Sequence, residues 1–327
     1  MTLSRDELLR KDVGAIALPE GRMVGTAAHA RARAYLCRRF AEIGLVPYRD
    51  QGFELSYQGR RTHFHNLVGL IAGRNPRLPP VVIGAHYDSV IAAPCADDNA
   101  AAVAIALSAA DMLRTTPRER DVVVALFDAE EPPYFLGPAM GSIRFCADQA
   151  DGRGFHAALV MDLVGHDCAL PLPGLANLLI ATGIESSATL PGMLDACPRP
   201  ADLPLVVAQN YVVGDMSDHH AFRSRGTPYL FLTCGRWAHY HRPTDTPEKL
   251  AWRKIGLIRD YVVALVNALA SSELEAPSDD TIAMEIRYLE AALGVHLGRV
   301  LAPLGIRALH SRGDLEELAQ ALQGLGL

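Results

Sequence analysis

Residues 80–86, PVVIGAH, decide how the rest of the chain is read. The run is short, continuous and apolar, and it stops at His86, with Asp88 two residues on. A strand with one face in water alternates polar and apolar residues, so an unbroken apolar run belongs in a sheet covered on both faces. Upstream, FELSYQG and THFHNLVGLIAG alternate or run β-branched as a hairpin does, and residues 25–45 carry apolar side chains at helical spacing up to Gly44. Downstream, residues 98–114 read as an Ala-rich helix, 121–127 as a strand, 140–150 as a helix and 157–162 as a strand. Alternating strands and helices predict a three-layer α/β/α architecture around a mixed sheet that is mostly parallel at its centre. A Pro-interrupted stretch at 170–204 follows, then strands near 205–208 and 228–232 and a helix near 255–269.

From about residue 281 the character changes to two helical patterns broken by PLG and SRGD. The expected division is a catalytic domain over residues 1–272 and a helical appendage over 273–327. In the appendage Ile282, Ile286, Leu289, Leu293 and Leu297 form one apolar stripe. It must fold back on the chain or pair with a second copy, so the expected state is a monomer or a homodimer.

Composition bounds the function. The 327 residues are 50% hydrophobic and 21% charged, with a formal net charge of −6, and the charge is scattered. Nucleic-acid grooves and anionic membrane patches need clustered Lys and Arg, so neither partner is expected. The N-terminus, MTLSRDELLRKD, has no apolar core of signal-peptide length, and no apolar run approaches the ~20 residues that span a bilayer. A cytoplasmic location is the expectation. The 6 cysteines are dispersed without a C-x-x-C pair, which argues for reduced core residues rather than a zinc ribbon or a disulfide framework.

Acidic and imidazole residues cluster where strands are expected to end: GAHYDSV, CADDNAAA, LFDAEEPPYF, VMDLVGHD and HYHRPTDTPEKL. In open α/β sheets such residues converge on one crevice at the carboxyl edge. Two histidines and three carboxylates suit a pair of zinc ions, one carboxylate bridging them, and a further carboxylate must take a proton from water. A ligating histidine needs an acceptor for its other N–H, which suggests Asp88 for His86, and Asp245 or a carbonyl for His241.

Taken in order, GAHYDS, ADDNAAA, FDAEE, MDLVG, SDHHAF with GTPYLFL, and YHRPTDTPEKL closely resemble metallopeptidase family twenty-eight. That family holds co-catalytic zinc aminopeptidases, with glutamate carboxypeptidases and glutaminyl cyclases as relatives. The resemblance covers roughly residues 24–269 and implies the zinc exopeptidase fold. It further implies that His86 and Asp162 bind one zinc, Glu131 and His241 the other, that Asp97 bridges them, and that Glu130 is the general base. It suggests a cis peptide between Asp97 and Asp98, and a supporting role for Asp218. The expected activity is removal of an N-terminal residue from a peptide or aminoacyl substrate. Two alternatives stand beside it: a glutaminyl-cyclase-like acyltransferase with a single zinc, and a non-catalytic binding protein on the same fold.

Three departures bear on the substrate. DDNAAA replaces the family's DDNASG, EEPPYFLGPAMGS replaces ELGLLGS, and no Tyr stands just before SDH, which leaves Tyr211 as the available substitute. Pro132 and Pro133 stiffen their loop and hold Tyr134 and Phe135 outward, as a pocket wall requires. For Asp98 and Asn99 helix N-capping is the expected role, and for Asp128 a structural one. His63, His65, His166, Asp167 and His239 read as surface or hairpin positions, and His219 and His220 flank Asp218 without matching a ligand position.

Overall fold

The computed structural model describes residues 3–48, 52–59, 62–148, 154–168 and 174–324. The ends of the expected 140–150 helix and of the appendage, and the start of the 170–204 stretch, lie outside them. The strands are β1 (Val46–Pro47), β2 (Glu54–Gln58), β3 (His63–Ile71), β4 (Val81–His86), β5 (Val122–Phe127), β6 (Ala157–Met161), β7 (Leu179–Thr182), β8 (Leu205–Ala208) and β9 (Tyr229–Thr233). The helices are α1 (Arg5–Ile16), α2 (Ala27–Ile43), α3 (Ala101–Leu113), α4 (Gly141–Asp148), α5 (Leu190–Ala196), α6 (His219–Arg223), α7 (Trp252–Ser271), α8 (Ile282–Leu293), α9 (Leu297–Leu301) and α10 (Arg312–Gly324).

The sheet runs β1-β3-β5-β4-β6-β9-β7-β8, with β2 also paired to β3. Its centre, β5-β4-β6-β9, is parallel, and the flanking β3–β5 and β7–β9 pairs are antiparallel. Residues alternate between two cores as period-two strands require. Val81, Ile83, Val122, Val124, Leu159 and Met161 face α1, α2, α3 and α7, whereas Val82, Val123, Ala125, Phe127, Ala158 and Val160 face Phe145 of α4 and Phe222 of α6. α3 is buried on nearly every side, and its run of alanines lets α1, α2 and α7 approach closely.

The central strand β4 has β5 on one side and β6 on the other. The chain leaves β4 through α3 on one face and leaves β5 through α4 on the other, so the winding reverses at β4 and a crevice opens beyond its carboxyl end. His86 is the last residue of β4.

α1, β1, β7 and α5 were not expected from the sequence. α1 starts with a capping box, Ser4 Oγ accepting from Glu7 N while Glu7 accepts from Ser4 N, and buries Leu9, Val13 and Ile16. The C-terminal helices pack on the chain itself. Leu289, Leu293, Leu301, Leu315 and Leu318 share a cluster with Cys168, Leu175 and Leu178, and α8 lies along β8, the last strand of the sheet.

Candidate metal centre

Side chains from five strand-end segments meet at the crevice. His86 Nε2 lies 3.3 Å from Asp98 Oδ1, 3.6 Å from Asp162 Oδ1 and 3.9 Å from Glu130 Oε2. On the other side, His241 Nε2 lies 3.2 Å from Asp98 Oδ2 and 3.4 Å from Glu131 Oε2. Asp98 thus turns one oxygen to each histidine. Of the expected ligand set, His86, Glu131, Asp162 and His241 are brought together.

Asp97 is not with them. Its carboxylate points away, accepting from Gly165 N at 2.6 Å and pairing with His166 Nδ1 at 2.7 Å. Gly165 leaves room for it, since a Cβ there would sit 2.8 Å from Asp97 Oδ1. Asp98, expected as a helix cap, takes the central place instead, and α3 has no side-chain cap. The backbone of this turn is not helical, with Asp98 at φ −110°, ψ 83° and Asn99 at φ −134°, ψ 34°. The cis peptide likewise falls between Asp98 and Asn99, one bond later than expected. Asn99 donates to Met161 O at 2.9 Å, tying this turn to β6 beside Asp162.

The surrounding shell fixes these groups. Asp88 lies with Oδ1 3.4 Å from His86 Nδ1 and accepts from the backbone N–H of Glu130 and Glu131, both at 3.2 Å. Asp245 does not serve His241; its carboxylate accepts from Asp97 N and Asp98 N. Asp128 bonds His29 Nε2 at 3.0 Å and His65 N at 2.8 Å, a structural tie between α2 and β3. His166, expected at the surface, is fully buried, and His219 is a core residue stacked on Phe231. Among the described non-glycine residues with positive φ, Cys95, Ala129, Leu163 and His241 all adjoin or belong to the site. Such backbone costs about 1–3 kcal/mol per residue and persists where the surroundings over-determine it.

The other expected pocket residues lie apart. Tyr134 packs edge-on against Phe64 and lines a cavity of about 450 Å³ with His29, His63, His65 and Arg33. Phe135 is half-buried in the same loop. Tyr211 is engaged by α10, its hydroxyl 3.3 Å from Arg312 Nη1. Tyr240, which sequence reasoning passed over, stacks on His241 at 3.8 Å and feels the charges of Asp98, Asp162 and Glu131. Its one sequence signal was adjacency to an expected ligand.

The donor set fits a divalent metal. His86, Asp98 and Asp162 form one group able to hold an ion, and Asp98, Glu131 and His241 another. His86 Nδ1 and Nε2, Asp98 Oδ2, Glu131 Oε1 and Asp162 Oδ1 are buried without an aligned hydrogen-bond partner, an arrangement that costs stability unless something else satisfies them. Burial pushes the Glu131 carboxyl up to about 8, with Asp98 adding to it, and holds Glu130 well above the usual carboxylate range. Burial also raises Asp218, to about 7. Against the effect of burial, Glu130 and Asp162 raise the His86 imidazole, and contacts with Asp98 and Glu131 raise His241 to about 9. Too many acids share one dry volume, and a bound cation supplies the charge they lack.

The family model of Peptidase family M28 matches residues 66–266, well over half of the 327 residues. The chain belongs to peptidase family M28. Among curated proteins it is similar to the aminopeptidase YwaD of Bacillus subtilis (34% identical, 64% of this chain and 45% of that protein). It is also similar to the uncharacterized protein YfbL of Escherichia coli (26% identical, 58% of this chain and 66% of that protein). The chain therefore spans under two thirds of each. Among solved structures it resembles the LapA aminopeptidase of Legionella pneumophila (TM-score 0.67, 16% identical, 82% of this chain and 72% of that one). A Zn-dependent exopeptidase of Parabacteroides distasonis (TM-score 0.62, 16%, 80% and 97%) and the glutaminyl cyclase of Tannerella forsythia (TM-score 0.63, 16%, 80% and 98%) share the fold. As expected for this M28 chain, the architecture is that of the zinc exopeptidases. Among the described residues no helix is long and apolar enough to cross a membrane.

Proposed function

We propose that this chain is a zinc-dependent aminopeptidase whose metals are held by His86, Asp98, Glu131, Asp162 and His241, with Asp98 shared. The observation that carries the reading is the Asp98 carboxylate standing between the two histidines, with Glu130 alongside. When bound, zinc supplies Lewis acidity, polarising a carbonyl and easing loss of a proton from water.

The chain's residues do the rest. The Glu130 carboxylate removes a proton from the water that attacks the scissile carbonyl carbon. As the C–N bond breaks, Glu130 returns that proton to the leaving amine nitrogen, so atoms and charge balance. Tyr240 brings a phenol O–H to the same crevice, a donor for the carbonyl oxygen. Asp88 holds the backbone of the Glu130–Glu131 pair and stands 3.4 Å from the His86 imidazole, while the buried Asp218 carboxyl acts on His86 only through its charge.

The test is elemental analysis of the purified chain, followed by assay against aminoacyl and N-terminal glutaminyl substrates. Asp98→Asn should lose metal, and Asp97→Asn should lose less. Equal retention of metal in both variants would contradict the shared role of Asp98. A glutaminyl-cyclase-like acyltransferase is the second reading, favoured by the long loop at residues 132–140 and by the shared fold with the Tannerella enzyme. Cyclisation of glutaminyl peptides without release of free amino acids would select it.

A further inference from the structure

The centre is gripped by a segment that precedes residue 66, where the family match begins. Between α1 and α2 the chain passes against the loop that follows β4. At Gly21 (φ +71°) a Cβ would lie 2.5 Å from Ile91 O and 2.8 Å from Ala93 N, so glycine alone fits. The next residue, Arg22, is wholly buried. Its main-chain N–H donates to Ser89 Oγ at 2.7 Å.

The Arg22 guanidinium has five N–H groups, and each finds a backbone carbonyl. Nε donates to Tyr87 O at 2.8 Å, Nη1 to Ile16 O at 3.3 Å and Pro94 O at 2.6 Å, and Nη2 to Cys95 O at 2.9 Å and Asp98 O at 3.3 Å. Tyr87 adjoins His86, and Pro94, Cys95 and Asp98 belong to the turn that presents the Asp98 carboxylate. The same residue is held from the opposite direction by Asp245, which accepts its N–H at 3.1 Å. The main chain of Asp98 is thus fixed at both ends, N–H by an acid and C=O by a base. The negative charges that Arg22 feels include those of Asp98, Asp88 and Asp245.

We infer that Arg22 is a positioning residue for the metal centre: it fixes the carbonyls of the 94–98 turn so that the Asp98 carboxylate stands between His86 and His241. The inference rests on the metal-centre reading above. A buried arginine that only filled the core would affect stability alone. Arg22 as a positioning residue sets metal affinity as well, because outer partners of metal ligands typically govern ~10–100-fold in affinity.

The experiment uses the full chain, wild type against Arg22→Lys and Ser89→Ala. Each is stripped of metal, titrated with zinc against a chromophoric chelator, and loaded with cobalt(II) for its visible absorption, while thermal unfolding of the metal-free forms is followed separately. Arg22→Lys keeps the charge but cannot reach five carbonyls, and should bind zinc ~10–100-fold more weakly with an altered cobalt spectrum. Ser89→Ala, which removes one anchor of Arg22, should move affinity in the same direction by less. A folded Arg22→Lys with wild-type zinc competition and an unchanged cobalt spectrum overturns the inference, even if its metal-free form melts earlier. Should Arg22→Lys fail to unfold cooperatively, unchanged zinc affinity in Ser89→Ala overturns it instead. A wild-type chain that takes no metal sinks the metal-centre reading itself, which the chelator titration reports before any variant is compared.

Discussion

Two stretches of the chain lie outside residues 66–266, one at each end, and the fold uses them differently. The N-terminal stretch enters the main core, where Leu9, Val13, Ile16, Leu36 and Phe40 pack with residues of β4 and α3, and it sends Arg22 into the backbone of the site. The C-terminal stretch reaches the same core through Leu269, Met284 and Tyr288, but most of it builds a separate cluster against Cys168, Leu175 and Leu178 and covers β8. Among the described residues its polar ties, such as Arg287–Asp195 at 2.7 Å and Arg312–Glu285 at 2.8 Å, touch no residue of the metal centre. An uncovered terminal strand invites pairing with another chain, so a helix along β8 has a physical purpose that needs no chemistry. Position outside the family match says little about function; what decides it is which groups a segment brings to the strand ends.

Removal tests the contrast most severely. Deleting residues 1–22 should abolish cooperative unfolding and zinc uptake together, since it strips apolar residues from the main core and the guanidinium from the turn. Truncation after Ser272 should leave zinc uptake in place while lowering solubility, because it bares the cluster around Cys168 and Leu178. Loss of zinc from a folded C-terminal truncation would break the comparison. Next in size, Glu130→Gln should retain zinc by elemental analysis yet lose ~10²–10⁴-fold in rate, as removal of a general base does. An active Gln variant would remove Glu130 from the mechanism.

Leu289 is buried in the C-terminal cluster, and Leu289→Ala should cost roughly 2–5 kcal/mol in denaturant unfolding with zinc affinity unchanged. If zinc affinity fell in step with stability, the two stretches would be energetically one unit. The smallest effect belongs to Arg312→Ala. Arg312 is partly exposed but pairs with the buried Glu285 and joins Thr281 and Tyr211, so its loss should cost about 1–3 kcal/mol and leave kcat/KM for an aminoacyl substrate alone. A marked fall in kcat/KM would tie the appendage, through Tyr211, to the substrate.

Much of the sheet was legible because its central strands are unbroken apolar runs: PVVIGAH and VVVALF leave little else for those residues to be. β7 was hidden, since LIAT is short and stands among prolines that read as irregular chain. α1 was hidden by its charge, its buried face amounting to Leu9, Val13 and Ile16 between polar residues. Arg22 could not be found at all. In the string PEGRMVG it is one arginine beside two glycines, and its five acceptors come from Ile16, Tyr87, Pro94, Cys95 and Asp98.

The residue types and their order were enough to determine an α/β sheet with acids and histidines at its carboxyl edge, because strand periodicity and the polar stop at each strand end are written locally. The choice between Asp97 and Asp98 was not local. Both are buried carboxylates in one non-helical turn, so no period says which faces the crevice. Contacts remote in sequence made that choice. Gly165 and His166 draw Asp97 away, while Asp245 and Arg22 hold the main chain of Asp98 so that its side chain points between His86 and His241.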